Sequence, residues 1–163
     1  MARIVEDRPT DLAFEPDEDD REFRRPIRPM PTPAQRRRLE RAARAAAKQS
    51  YAPYSKFRVG AAILMESGRV YAGCNVENAS YGLCNCAERT AIFTAAAAGE
   101  RRIRAVAVYT PTKQPTLPCG ACRQVINEFG PDAVVISVCD SARRFETTLP
   151  ELLPHAFGPK DLA

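Results

Sequence analysis

The chain has no tryptophan, a single histidine (His155) and no apolar run close to the length of a membrane span. Each scarcity excludes something. Its longest apolar stretches, near Ala61 to Met65 and Ala105 to Tyr109, suit buried strands, not a bilayer. The first residues are acidic by Glu6 and Asp7 and hold no apolar core, so they do not read as a secretory signal. A reducing cytoplasm is then the expected compartment. There the six cysteines are metal ligands, catalytic groups or core residues rather than disulfides. Aromatics are only 7% of the chain, and Arg36-Arg37-Arg38 is its one basic run. A nucleic-acid surface usually combines clustered basic residues with stacking aromatics, so no nucleic acid is expected as partner.

What is present fits one ordinary globular domain: 163 residues, 45% hydrophobic, 27% charged. The net charge of +4 is uneven. Residues 1–33 carry nine acids and six arginines, net −3, which leaves +7 for the remainder. Residues 1–31 hold five prolines, the acidic run Asp17 to Asp20 and few aliphatics. Such a segment buries too little surface to offset its ordering entropy, so it reads as an extension, disordered or loosely packed, ahead of a domain over 32–163.

The domain begins with a helix start: Thr32 as N-cap, Pro33 in the first turn and Gln35 completing a capping box, continuing to about Gln49. Strands are predicted over 57–65 and 69–75 as a hairpin, then over 104–110, 133–138 and 143–147. Helices are predicted over 86–98, 119–129 and 148–153. A hairpin followed by alternating helices and strands predicts an α/β layered domain with a mixed sheet.

Two predicted helix starts carry cysteines: Asn85-Cys86-Ala87-Glu88 and Pro118-Cys119-Gly120-Ala121-Cys122. A helix N-terminus offers unpaired N–H groups and partial positive charge, which favours the thiolates a metal needs. Thiolates in a tetrahedral set select zinc. Three arrangements are open. Cys84 could complete a closed, purely structural four-cysteine site. His155 could be recruited from far along the chain. Or Cys86, Cys119 and Cys122 could bind alone and leave one position for water. In the third case Glu88, in the first helical turn, can reach that water without binding the metal. Three thiolates leave the centre net negative, and Arg89 is a candidate compensating charge.

These runs, with Tyr54-Ser55-Lys56-Phe57-Arg58-Val59-Gly60, Gly73-Cys74-Asn75-Val76-Glu77-Asn78-Ala79-Ser80-Tyr81 and Leu152-Leu153-Pro154 before Phe157, make the chain resemble the small zinc-dependent cytidine deaminases over residues 34–158. The resemblance implies a three-layer α/β/α fold with a mixed five-stranded sheet. It implies one zinc per chain on Cys86, Cys119 and Cys122, with Glu88 shuttling protons during hydrolytic deamination of cytidine or 2′-deoxycytidine in pyrimidine salvage. Asn75 and Glu77 would hold the ribose 3′-hydroxyl. Phe57 would lie along the pyrimidine, and Ala87 would line the site. Phe157, and the backbone near Ala79 and Tyr81, would come from neighbouring subunits of a homotetramer. Gln124 would hydrogen-bond near the thiolates. Cys84 and the N-terminal extension depart from the usual pattern of that family.

Overall fold

The computed structural model describes residues 30–162. The expected extension at 1–31 thus lies almost wholly outside the described residues. Helix α1 (Pro33–Ala47) starts as the local chemistry requires. The Thr32 N–H donates to Gln35 Oε1 at 2.9 Å, and the Gln35 N–H donates to Thr32 Oγ1 at 3.3 Å. Strands β1 (Gly60–Met65) and β2 (Val70–Cys74) form the expected hairpin. Then follow α2 (Ala87–Ala97), β3 (Ile103–Tyr109), α3 (Gly120–Phe129), β4 (Val134–Val138), β5 (Arg144–Thr148) and the short α4 (Leu149–Leu152). Two 3-10 turns, Tyr81–Leu83 and Pro159–Asp161, were not foreseen from sequence.

The strands lie in the order β2-β1-β3-β4-β5. Only β3 and β4 run parallel, joined by the crossover through α3; the other neighbours are antiparallel. The sheet is therefore mixed and five-stranded, as expected. Side-chain alternation divides the core between its two faces. Ala62 and Leu64 of β1, with Ala105 and Ala107 of β3, meet Leu39 and Ala43 of α1. Ile63 and Met65, with Val106 and Val108, meet Ile92 of α2, Ile126 of α3 and Leu149 of α4. Helices thus cover both faces, the three-layer arrangement. Since β1 is buried along its whole length, its sequence is a continuous apolar run rather than an alternating one.

Two glycines set how closely helices approach the sheet. A Cβ on Gly60 would lie 2.0 Å from the Ala43 carbonyl oxygen of α1, and one on Gly73 would lie 2.5 Å from the Ala91 nitrogen of α2. The second contact seats α2, and so the residues at its start, directly on the hairpin. The first strand begins at Gly60 rather than Phe57 because residues 57–59 are bonded by a side chain. Asn75 Nδ2 donates to the Phe57 carbonyl at 2.8 Å, and the Val59 N–H donates to Asn75 Oδ1 at 2.8 Å. None of the described helices is long and apolar enough to cross a membrane.

Candidate metal centre and adjoining cavity

Cys86 and Cys119 occupy the N-cap positions of α2 and α3, both with extended backbone. An N-cap side chain ordinarily accepts a backbone N–H of its own helix. Neither sulfur does so. Instead they converge to 3.8 Å of each other, and with Cys122 in the first turn of α3 all three sulfurs lie within 4.8 Å of one another. The x-x spacing of Cys119 and Cys122 puts both on one side of a single turn.

Several bonds fix the cysteine-bearing segments. Thr90 Oγ1 donates to the Cys86 carbonyl at 3.2 Å and accepts from Asn85 Nδ2 at 3.1 Å. Arg123 Nε donates to the Pro118 carbonyl and Nη1 to the Leu152 carbonyl, each at 2.8 Å. The Arg89 guanidinium reaches the Cys84 carbonyl at 3.2 Å and Cys86 Sγ at 3.7 Å, which places positive charge beside the thiolate as the sequence suggested.

The donor set fits a thiophilic dication. The hydrogen bond from the Cys122 thiol, followed by Arg89 and Cys119, brings the Cys86 pKa down to about 5. Cys122 is pushed up because it serves as that donor and is buried. A metal ion replaces the proton the sulfurs share. The two rival ligands lie elsewhere. Cys84 is outside the sulfur cluster and its Sγ accepts the Asn78 N–H at 3.3 Å. His155 lines a separate surface depression with Pro154 and Pro159. Three protein ligands leave a tetrahedral ion one position for water.

Glu88, the second residue of α2, is only 4% exposed. Burial raises its pKa, with the negative Cys86 pushing the same way and the Cys122 thiol opposing. This favours a carboxyl able both to take and to give a proton.

A cavity of about 290 Å³ opens above the sulfurs. Cys86, Cys119, Glu88 and Ala87 line it, together with the apolar Val108 and Leu117 and with Phe57, Asn75 and Glu77. Both Asn75 and Glu77 are already bonded to the 50–59 segment. Asn75 Oδ1 accepts the Ser50 hydroxyl at 2.5 Å as well as the Val59 N–H. Glu77 Oε2 accepts the Tyr54 and Ser55 N–H groups at 2.8 and 3.2 Å, and Oε1 accepts the Ser55 hydroxyl. These bonds hold its pKa below the usual carboxylate value, the Ser55 hydroxyl first among them.

Ala79, Tyr81 and Phe157 are not among the residues lining this cavity. Tyr81 and Phe157 are 73% and 56% exposed, and Tyr81 meets Tyr54 edge-on at 5.9 Å. The Gln124 amide donates to the Phe157 carbonyl at 2.9 Å and so anchors the C-terminal segment. Sequence reasoning passed over Ser50, Ser55, Thr116 and Leu117. Ser55, inside the quoted run 54–60, was the most accessible of them, a hydroxyl two residues before Phe57.

The family model for the cytidine and deoxycytidylate deaminase zinc-binding region matches residues 33–138. The chain belongs to that family. Cytidine deaminase of Sporosarcina psychrophila is 50% identical over 119 residues, covering 72% of this chain and 88% of its own length. That of Mycobacterium tuberculosis H37Rv is 45% identical over 117 residues, 72% of this chain and 85% of the relative. The crystal structure of cytidine deaminase from Burkholderia pseudomallei superposes with a TM-score of 0.72 at 52% identity, covering 74% of this chain and 98% of that one. The family's zinc is the ion the three sulfurs suit, one per chain.

Proposed function

We propose that the protein is a zinc-dependent cytidine deaminase, converting cytidine and 2′-deoxycytidine with water to the uridine counterparts and ammonia. The observation that carries this reading is a buried carboxyl, Glu88, at the floor of a cavity whose base is a three-cysteine metal site. Cys86, Cys119 and Cys122 would hold the zinc, which supplies Lewis acidity that makes a water easier to deprotonate. Glu88 would take a proton from the water as its oxygen bonds to C4 of the cytosine ring and deliver that proton to N3. It would then carry the proton of the new C4 hydroxyl to the amino group, which leaves as ammonia as the C4–N bond breaks and the C4 carbonyl forms. A group making both transfers needs a pKa above that of a free carboxylate, the direction burial provides. Arg89 offsets the negative charge of the thiolates.

Asn75 and Glu77 at the far end meet the sugar, and Phe57 flanks the pyrimidine. Among the described residues the cavity lining contains two carboxylates, Glu77 and Glu88, and no lysine or arginine, with Lys56 near enough to act on Glu77 from outside the lining. A lining of that charge suits a neutral nucleoside.

The working form is a homotetramer in which Phe157 and the backbone near Ala79 and Tyr81 close a neighbour's cavity. Support comes from the exposure of Phe157, Tyr81 and Leu83 and from Gln124 holding the Phe157 segment in place. The chemistry resides in residues 32–163, with 1–31 an extension outside it. Free thiolate ligands suit a reducing cytoplasm, where the reaction serves pyrimidine salvage.

The test is loss of ultraviolet absorbance on incubation with cytidine, deoxycytidine, deoxycytidylate, an aminoacylated cytosine antibiotic and single-stranded DNA in parallel. The two nucleosides should turn over fastest. Faster deoxycytidylate turnover would overturn the nucleoside assignment, and no turnover of any would overturn the activity.

A further inference from the structure

The sugar end of the cavity rests on an awkward piece of backbone. Lys56 has φ 58°, in the left-handed region that a lysine seldom occupies. The surrounding bonds must hold it there, and the Ser55 hydroxyl is their junction. Ser55 Oγ donates to Glu77 Oε1 and accepts the Phe57 N–H at 3.0 Å. On the other side of that residue, Asn75 Nδ2 takes the Phe57 carbonyl at 2.8 Å.

An amide side chain has two N–H donors and two acceptor positions, and a carboxylate has about four acceptor positions. Asn75 uses both acceptor positions and one donor within the protein. Glu77 uses three acceptor positions. Among the described residues this leaves one N–H and one carboxylate lone pair, the complement of a single hydroxyl group.

We infer that Ser55 is a positioning residue for sugar recognition: its hydroxyl orients Glu77 so that one acceptor faces the cavity, and ties that carboxylate to the backbone of Phe57. This rests on the nucleoside reading above. Ser55 acts through Glu77, so its effect belongs in substrate binding and depends on the sugar hydroxyl that Glu77 meets.

The experiment compares full-length, zinc-loaded wild type, Ser55→Ala and Ser55→Thr on cytidine and on 3′-deoxycytidine, with zinc content measured for each. For Ser55→Ala, KM for cytidine should rise about tenfold with kcat within about twofold, the size of one hydrogen bond to a charged group. On 3′-deoxycytidine the same substitution should change KM less than about threefold, because the group it positions has lost its partner. Ser55→Thr keeps the hydroxyl and should restore most of the affinity. Equal losses on both substrates, a fall in kcat at unchanged KM, or no rescue by threonine would overturn the assignment. Should Ser55→Ala fail to fold, Ser55→Thr decides alone: it must keep the wild-type preference for cytidine over 3′-deoxycytidine. A wild type inactive on cytidine would overturn the parent reading first, before any variant is compared.

Discussion

At the metal end of the cavity Cys122 is fully buried and the proton-carrying Glu88 nearly so, while Cys86 is half-buried and Cys119 exposed on the cavity side. At the end proposed to meet the sugar Phe57 is 41% exposed, and Asn75 and Glu77 are reached by solvent. The metal end stands on two helix starts pressed against the sheet, Gly73 allowing one of them to sit close. The sugar end stands on a loop held by side-chain hydrogen bonds. The two are joined by the backbone pair Val76–Asn85, with both N–H···O bonds at 2.9 Å. Chemistry needs groups whose proton affinity is set by exclusion from water, and helix starts in a packed core supply that. Recognition needs a way in, and a bonded loop is rigid without being closed.

The contrast predicts a graded series of losses. Stripping the metal with a chelator, or Cys119→Ala, should abolish turnover within detection, with atomic absorption confirming the lost zinc. Activity surviving in metal-free protein would mean the buried end does not depend on its ion. Glu88→Gln should retain zinc and nucleoside binding while kcat drops by about 10⁴-fold, the upper range for one acid–base group serving two transfers. A drop of only about threefold would take Glu88 out of the mechanism and leave its burial unexplained.

Losses at the open end should be smaller and appear in KM. An aromatic ring stacked on a base is worth about 1–3 kcal/mol, so Phe157→Ala should weaken binding roughly 10- to 100-fold with zinc in place. Mixing Phe157→Ala chains with Glu88→Gln chains after reversible dissociation sharpens this. Activity above both parents shows Phe157 crossing to a neighbour; none, in verified mixed oligomers, returns it to its own chain. The smallest effects belong outside both ends. Cys84→Ser should keep its zinc and most of its activity, since that thiol bonds the Asn78 backbone. Removing residues 1–30 should leave the melting temperature and kcat within about twofold and a few degrees of the full chain. Zinc loss on Cys84→Ser would revive the closed four-cysteine site.

Short-range chemistry was legible in the sequence. Thr32 and Gln35 cap α1 within one turn, and the spacing of Cys119 and Cys122 states their geometry by itself. The alternation of strands and helices gave the layers, with ends displaced by a residue or so: Cys86 and Cys119 proved to be caps just ahead of their helices. What escaped depends on partners distant along the chain. Residues 57–59 have the apolar look of a strand start, yet a side chain 16 to 18 residues away takes their bonds. Gln124 sits two residues after Cys122 and donates to Phe157, 33 residues on. No local pattern announces either choice.

The charged seam between α1 and β5 has a consequence for how the molecule comes apart. Arg36 pairs with Glu146 and Arg144 with Glu40 at 2.9 Å, while Arg44 Nη2 donates to the Cys139 carbonyl just beyond β4 at 2.6 Å. Charged side chains of α1 and β5 therefore hold the two elements together. Individually such partly exposed pairs contribute little, about 0–1 kcal/mol each, and salt weakens them. As a set they tie α1 to the edge strand β5, so the hold of these two elements on each other should loosen as ionic strength rises.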